Sequence, residues 1–260
     1  MAEPIISFEQ VTKAFGPNVV YEDLSLNVYP GETLTVIGGS GVGKSVMLKL
    51  LIGLLEPDSG GIFAFGDSVV EMRRREMQKL RRRIGMLFQG AALFDSLTVH
   101  ENICYPLIEH GWKDRQRMAV RVEEVLEMVG MPGIQKLKPP ELSGGMKKRV
   151  GLARAIAIEP DVILYDEPTT GLDPLNVRRI NGLILRLQEQ LKVTSIVVTH
   201  DMDSCFTVTD RIAFLNNKRI AWTGTREEAQ ASEMPALAKF VQGGKGILDD
   251  NELARKEGLL

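Results

Sequence analysis

A glycine-rich run that ends in lysine and serine is the first segment of this chain whose residue types could do chemistry. Its residues are Gly38, Gly39, Ser40, Gly41, Val42, Gly43, Lys44 and Ser45. Small residues let backbone N–H groups close around phosphate oxygens at a helix N-terminus. A lysine ammonium attracts the β- and γ-phosphates, and a serine hydroxyl is an oxygen ligand for Mg²⁺. The run therefore predicts a nucleotide phosphate loop; the alternative is an ordinary glycine-rich turn.

Two adjacent acids end a second apolar segment. Residues 162–165 are valine, isoleucine, leucine and tyrosine, and Asp166 and Glu167 follow them. A strand points successive side chains to opposite sides, so the two carboxylates are expected to do different jobs. Beside a phosphate loop, Asp166 is predicted to bind Mg²⁺ and Glu167 to activate the attacking water. Taken alone, acids at a strand end also occur as helix caps or loop residues.

The sequence Leu142-Ser143-Gly144-Gly145-Met146, followed by a basic helical run, could also bind an anion. A serine and two glycines at a helix N-terminus direct N–H groups toward a phosphate, although the same residues often serve only as a cap. With this motif the sequence resembles the ABC transporter ATPase family, whose signature is LSGGQ, over about residues 5 to 240. The resemblance implies an α/β fold with a P-loop NTPase core of ABC type. It also implies that the signature motif binds the ATP of a second copy in a head-to-tail dimer.

The same resemblance assigns four further positions. It implies that Phe15 stacks on adenine, that Gln89 is a catalytic glutamine reaching Mg²⁺ and water, and that Asp173 belongs to the nucleotide-binding D-loop. His200 is implied to donate to the γ-phosphate and to hold Glu167. Each position also has a structural alternative. Phe15 could be core or edge packing, Gln89 a solvated loop residue, Asp173 a helix N-cap and His200 a turn residue.

The elements that must position these residues follow an α/β alternation. Alternating segments at residues 5–11 and 24–29, separated by a turn at Gly16-Pro17-Asn18, predict an N-terminal antiparallel β-subdomain. Apolar segments predict strands at residues 33–37, 162–165 and 195–198, and helices at residues 45–55 and about 174–191. Strands that alternate with helices favour a parallel central sheet. A hairpin is predicted around Asn216-Asn217.

A helical subdomain is predicted within the cassette. From about Ser68 to Gly130 the sequence reads as arginine-rich helical segments, and residues 117–129 have helical apolar spacing. The predicted domains are a nucleotide-binding domain at residues 1–241, with a helical insertion at about residues 90–160, and a tail at residues 242–260. The tail could reach the other subunit as a short helix or be a disordered end.

Composition limits the class of protein. The 260 residues are 44% hydrophobic and carry 32 basic and 34 acidic side chains, for a net charge of −2, so no nucleic-acid partner is expected. The longest apolar run, residues 46–55, is broken by Lys49 and is shorter than the roughly 20 residues of a membrane span. No export signal is evident at the N-terminus, and two cysteines form no disulfide framework. A cytosolic location, with a separate membrane partner, is expected.

Several stretches resemble one branch of the family, the Mla-type (MCE-associated) phospholipid transport ATPases. These are Val46 directly after the loop serine, residues 85–97, and Met146 in place of the signature glutamine. The resemblance implies two copies of this chain, two transmembrane permease subunits and an MCE-type lipid-binding protein. The chain would lie peripherally at the cytoplasmic face of the bacterial inner membrane. The alternatives are the ATPase of a small-solute importer and that of a membrane-tethered mechanical ABC complex.

Three features have more than one interpretation. Residues 89–112 could receive a permease helix or form an ordinary folded loop. Arginines at positions 73–75 and 81–83 could meet anionic lipid headgroups or form a solvated helix face. Met146 cannot make the hydrogen bonds of a glutamine, so contacts at the signature helix must differ from the general pattern.

Overall fold

Strands and helices alternate through residues 3–243, which are the residues that the computed structural model describes. The strands are β1 (Ile6–Phe15), β2 (Asn18–Val28), β3 (Thr33–Ile37), β4 (Ser59–Ala64), β5 (Asp67–Ser68), β6 (Ile84–Leu87), β7 (Val162–Asp166), β8 (Thr194–Thr199), β9 (Arg211–Asn216) and β10 (Arg219–Gly224). The helices are α1 (Lys44–Leu51), α2 (Arg74–Arg83), α3 (Val99–Glu109), α4 (Arg115–Met128), α5 (Gly144–Ile156), α6 (Pro174–Leu191), α7 (Met202–Val208), α8 (Arg226–Gln230) and α9 (Pro235–Gly243). Within this range no helix is both long and apolar enough to cross a membrane. The predicted tail lies outside the described residues from position 244 onward.

The first sheet is antiparallel, with strand order β2-β1-β4-β5. In β2 the buried residues Leu24, Leu26 and Val28 alternate with exposed ones, as expected of a sheet with one face in the core. The turn between β1 and β2 contains Gly16 at φ 59°, a left-handed conformation that costs glycine little. The predicted N-terminal antiparallel subdomain is therefore present, with longer strands than the alternation indicated.

The second sheet has the order β10-β9-β3-β8-β7-β6, and all of its pairs are parallel except the β10 edge. Every residue of β3, β7 and β8 is buried because helices cover both faces of the sheet. The phosphate-loop run, Gln89, Glu167 and His200 all follow the carboxyl ends of these parallel strands. Such an edge is where open α/β sheets bind ligands.

The helices between β6 and β7 pack on one another and against the central sheet through one apolar cluster, which also includes Ile163 and Tyr165 of β7. Helices α3, α4 and α5 contribute Ile103, Leu107, Val122, Leu126 and Val150, each fully buried. Thr98 begins α3 with a reciprocal capping box, and Asp114 caps α4 through the N–H groups of the first turn. These helices place Ser143 at the N-terminus of α5.

Several elements differ from the sequence-based expectations. Helix α1 ends at Leu51 rather than at residue 55, because Gly53 turns at φ 63° and the Arg81 guanidinium binds the carbonyls of Ile52 and Gly53. The segment from Ser68 to Gly130, predicted to be helical, also contains strand β6. The hairpin turn is centred one residue later than predicted, since residues 217 and 218 both have positive φ.

The arginine-rich helix α2 is held largely by contacts within the chain. Besides Arg81, Arg82 donates to the carbonyl of His110, and Arg83 pairs with Asp161 at 2.6 Å. Arginines 73–75 are exposed. The two arginine groups therefore differ: arginines 81–83 contact other parts of the fold, and arginines 73–75 face solvent.

Candidate nucleotide-binding and catalytic site

The glycine-rich run connects β3 to α1 and lies in tight surroundings. A Cβ atom added to Gly38 would stand 2.5 Å from the Leu215 carbonyl oxygen, and one added to Gly43 would stand 2.4 Å from Val20 Cγ1. Gly43 also has φ 109°, a conformation that L-residues rarely adopt. The Tyr21 hydroxyl, on β2, donates to the Gly43 carbonyl at 2.5 Å. Glycines therefore permit the conformation of the loop, and Tyr21 of the antiparallel sheet holds it in place.

Lys44 directs its ammonium into the cleft beside the loop. Its Nζ donates to the carbonyls of Gly38 and Gly39 at 2.9 and 3.0 Å and lies 3.4 Å from Oε1 of Glu167. Burial lowers the pKa of Lys44, and the neighbouring Glu167 and Asp166 oppose that shift. The cleft therefore presents a desolvated cation where a phosphate would lie.

Oxygen donors suited to a magnesium ion lie next to this lysine. The Ser45 hydroxyl donates to Oδ1 of Asp166 at 2.6 Å, and Gln89 lines the same cleft. A hydroxyl, a carboxylate and an amide oxygen are ligand types that Mg²⁺ accepts, usually together with phosphate oxygens. Among residues 3–243 no group of three or more His, Cys, Asp or Glu side chains is arranged to hold a metal ion.

The Glu167 carboxylate is held from several sides. Oε2 lies 2.9 Å from Nδ1 of His200 and accepts from the Thr170 hydroxyl at 3.2 Å, while Oε1 faces Lys44. Glu167 has a left-handed backbone at φ 47°, and strained residues of this kind cluster at active sites. Its side chain is 9% exposed, against 54% for His200, so the pair runs from the cleft floor to the solvent. The geometry suits a general base.

An open cavity of about 260 Å³ brings seven of the predicted site residues together. It is lined by Ser40, Gly41, Gly43, Lys44, Ser45, Val46, Gln89 and Glu167. Asp166 and His200 reach it through their hydrogen bonds to Ser45 and Glu167. Phe15 ends β1 and is 44% exposed, with the Lys13 ammonium 5.3 Å from its ring centroid. An exposed ring of this kind is available for stacking.

The signature residues lie outside that set of cavity-lining residues. Ser143 caps α5, and its exposed hydroxyl accepts from the Met146 amide at 3.3 Å. Asp173 caps α6 through the amides of Leu175 and Asn176. A Cβ on Gly145 would approach the Asn176 side chain to 2.8 Å, so the two helix N-termini are neighbours. The structural reading of Asp173 as an N-cap matches these contacts. Met146 packs half-buried against the helical apolar cluster, which suits its thioether.

Besides Tyr21, sequence reasoning missed two residues that contact the site. Lys148, in the basic run after the signature, is 5% exposed and donates to the carbonyls of Glu167 (3.0 Å) and Gln89. Thr170 binds the Glu167 carboxylate. The available signal for Lys148 was its place three residues after Gly145 and four before Leu152, on the buried face of an amphipathic helix.

The glycine-rich loop connects a parallel strand to a helix, and a lysine, a serine and two strand-end acids surround one cleft beside it. This combination defines a P-loop nucleotide hydrolase. The comparisons with known proteins specify the family. The model of the family described as ABC transporter matches residues 21–170, more than half of the chain. This chain therefore belongs to the ABC transporter family of ATP-binding proteins and is an ATPase.

Curated relatives are similar over most of the chain. A probable ribonucleotide transport ATP-binding protein, mkl, of Mycobacterium leprae is 40% identical over 92% of this chain. The chain spans 69% of that relative and 66% of its Mycobacterium tuberculosis counterpart. The intermembrane phospholipid transport system ATP-binding protein MlaF of Haemophilus influenzae is 38% identical over 94% of this chain and 92% of its own length. The Escherichia coli K12 MlaF is 37% identical over 92% and 89%.

Solved structures share the fold. The ATP-binding cassette MJ0796, in a dimeric post-hydrolysis state bound to ADP and Pi, is 31% identical with a TM-score of 0.78, covering 85% of this chain and 98% of that one. The cbiO1 protein of Clostridium perfringens, part of the transporter complex cbiONQ, is 27% identical with a TM-score of 0.80, covering 97% and 99%. These comparisons confirm the predicted ABC-type fold and ATP as the nucleotide.

Proposed function

We propose that two copies of this chain close head-to-tail around two ATP molecules and drive phospholipid transport between bacterial membranes. The observation that carries the dimer is the separation of Ser143 and Gly145 from the cavity that holds Lys44. A helix N-terminus that could bind an anion but does not line the cavity beside its own phosphate loop can serve the ATP of another copy. The dimeric state of the MJ0796 cassette supports the pairing of two copies.

We assign the hydrolytic roles from the cleft geometry. Lys44 and the loop amides hold the β- and γ-phosphates, Phe15 stacks on adenine, and Asp173 joins the nucleotide site at the dimer contact. Ser45, Asp166 and Gln89 would hold Mg²⁺, which when bound would neutralise charge on the phosphate oxygens. Removing a general base costs about 10²- to 10⁴-fold in rate, or about 3 to 5 kcal/mol of barrier.

The proton path in this scheme uses two groups already in contact, Glu167 and His200. The Glu167 carboxylate accepts the proton of the attacking water. His200, bound to Oε2 of Glu167 at 2.9 Å, orients the carboxylate and donates toward the γ-phosphate. Thr170 and Lys148 hold Glu167 through its side chain and its carbonyl. These contacts orient the base before the substrate arrives.

A transmembrane permease is proposed to dock on the helical region after Gln89. Phe94, Tyr105 and Ile108 are 43%, 44% and 56% exposed, and the rings of Phe94 and Tyr105 are 4.8 Å apart. Neighbouring exposed apolar side chains of this size are typical of an interaction surface. The assembly would include an MCE-type lipid-binding protein and would lie at the cytoplasmic face of the inner membrane. We propose residues 1–241 as the nucleotide-binding domain, with its helical insertion at about residues 90–160.

The identity of the transported substrate needs an experiment, because the names of the relatives point to ribonucleotides or to phospholipids. We favour phospholipids because the chain spans 92% of the H. influenzae MlaF, and because Val46 and Met146 follow the Mla-type pattern. The test is copurification of the complex from membranes, reconstitution in vesicles and measurement of ATPase activity with added phospholipid or ribonucleotide. Stimulation by phospholipid supports the proposal, and stimulation by ribonucleotide or another small solute alone refutes it.

A further inference from the structure

The buried face of α5 binds the backbone that follows β6. Lys148, itself 5% exposed, donates its ammonium to the carbonyl oxygens of Gln89 and, at 3.0 Å, of Glu167. One cation thus joins three elements: the signature helix, the segment after β6 and the end of β7. Burial lowers the pKa of Lys148, while the charges of Asp166 and Glu167 oppose that shift. Burying a charged group is costly unless the group is hydrogen-bonded, so these contacts indicate that Lys148 has a positioning role.

A second cation on the same helix holds the next two residues. Arg154 donates to the carbonyls of Ala91 and Ala92 at 2.8 and 2.7 Å. Both alanines have left-handed backbones, at φ 60° and 48°. Such conformations persist only where surrounding contacts fix them. The Arg154 guanidinium supplies two of those contacts.

Between the two cations the helix surface fits the same segment closely. A Cβ atom added to Gly151 would meet Leu87 Cδ1 at 3.0 Å and Ala91 Cβ at 3.1 Å. Positions 148, 151 and 154 are spaced three apart, so consecutive positions lie beside each other on the helix surface. The segment from Leu87 to Ala92 therefore lies against α5 along two helical turns.

We propose that Lys148 and Arg154 are positioning residues that fix Gln89 and Glu167 to α5, so that the helix carrying Ser143 sets the geometry of its own subunit's hydrolytic cleft. The inference rests on the proposed function, because it takes Gln89 and Glu167 as hydrolysis residues. A phosphate bound at the N-terminus of α5 would act on the cleft of the same chain through these two cations. Removing the charge of Lys148 or of Arg154 should displace Gln89 without altering the phosphate loop.

The test uses the full-length chain with Lys148→Met, which keeps the apolar stem and removes the ammonium. Residues that orient metal ligands typically contribute about 10- to 100-fold to activity or metal affinity. We expect kcat to fall about 10-fold and the half-saturating Mg²⁺ concentration to rise severalfold, while KM for ATP changes by less than about twofold. Lys148→Arg, which restores the donors, should recover most of kcat. Lys136→Met removes an exposed lysine of the same region and serves as the matched control.

The outcomes separate this inference from the proposed function. Wild-type kcat and Mg²⁺ dependence in folded Lys148→Met would overturn the inference while leaving Glu167 as the base. If Lys148→Met does not fold in a thermal melt, Arg154→Met decides by the same two readouts, with Arg186→Met as its control. An equal change in KM and kcat with unchanged Mg²⁺ dependence would also refute a positioning role. Failure of the wild-type chain to hydrolyse ATP would instead refute the proposed function.

Discussion

Glu167 and His200 meet across the carboxyl ends of neighbouring parallel strands, with Oε2 of the glutamate 2.9 Å from Nδ1 of the histidine. Strands β7 and β8 pair in parallel register, with Asp166 opposite Val198, so Glu167 and His200 follow this pair at the same edge of the sheet, by one and two residues. The other oxygen, Oε1, faces Lys44 at 3.4 Å. The carboxylate is therefore clamped between a phosphate-binding cation and an imidazole. The first two predictions test this arrangement.

Replacing Glu167 with glutamine should stop turnover and leave ATP binding intact. The amide keeps the size of the side chain but cannot accept the proton, so the rate should fall about 10²- to 10⁴-fold. Phosphate release and nucleotide binding by the purified chain measure the two effects, and size-exclusion chromatography should show an ATP-trapped dimer. Glu159→Gln, at a glutamate whose side chain is 71% exposed, is the control. Normal hydrolysis by Glu167→Gln would remove this residue from the role of base.

Replacing His200 with alanine should lower kcat while the Kd for ATP stays close to that of the wild type. The imidazole is the residue that orients Oε2 of Glu167, whereas the phosphate loop lies on the opposite side of the carboxylate. We expect a loss of roughly 10²-fold or more, typical of removing a group that takes part in proton transfer. His110→Ala controls for loss of an imidazole elsewhere. A drop in ATP affinity with unchanged kcat would contradict the assigned role.

Replacing Tyr21 with phenylalanine should weaken ATP binding rather than turnover at saturation. The change removes the 2.5 Å hydrogen bond to the Gly43 carbonyl, which then keeps only the amides of Val46 and Met47 as donors. An intramolecular hydrogen bond contributes about 0.5 to 1.5 kcal/mol, so we expect the Kd for ATP to rise about 2- to 10-fold. Isothermal titration calorimetry on the isolated chain measures it, with Tyr105→Phe as control. An unchanged Kd would show that the loop holds its shape without β2.

The thiol of Cys205 should be inert in the folded chain at mildly alkaline pH. Burial raises its pKa to about 12, because desolvation disfavours the thiolate. The thiol of an unfolded chain has a pKa of about 8.5. The raised pKa in the folded chain therefore contributes stability below that pH, and this contribution declines as the pH rises toward the pKa of the folded chain. Iodoacetamide at about pH 9 should label Cys205 only after urea is added, as read by peptide mass spectrometry. Rapid labelling of the folded chain would contradict the burial.

The sequence predicts the groups that we assign to the chemistry because their signals are local. The run ending at Lys44 and Ser45 and the pair Asp166 and Glu167 are contiguous, and strand or helix periodicity beside them places them at element ends. Long-range contacts had no such signal. Tyr21 reaches a loop 22 residues away, and Lys148 reaches Gln89 across 59 residues. No local pattern specifies those two contacts, because they depend on how the sheets and helices pack against one another.

Element ends were predicted less well for the same reason. Residues 52–55 continue the apolar pattern of α1, but the turn at Gly53 and the guanidinium of Arg81 end the helix earlier. Strand β6 is four residues long and follows an arginine-rich helix, so the composition around it favours helix. Its burial against β7 decides its conformation. Tertiary contacts overrode local preference in both places.

The central claim is that each hydrolytic site takes Lys44 from one copy and Ser143 from the other. It is tested by mixing Lys44→Ala chains with Ser143→Arg chains, each inactive alone, although Ser143→Arg should still bind ATP in its own loop. A mixed head-to-tail dimer contains one site with both residues intact, so the mixture should regain ATPase activity in proportion to mixed dimer formed. No recovery in a mixture shown to form mixed dimers would contradict the shared site.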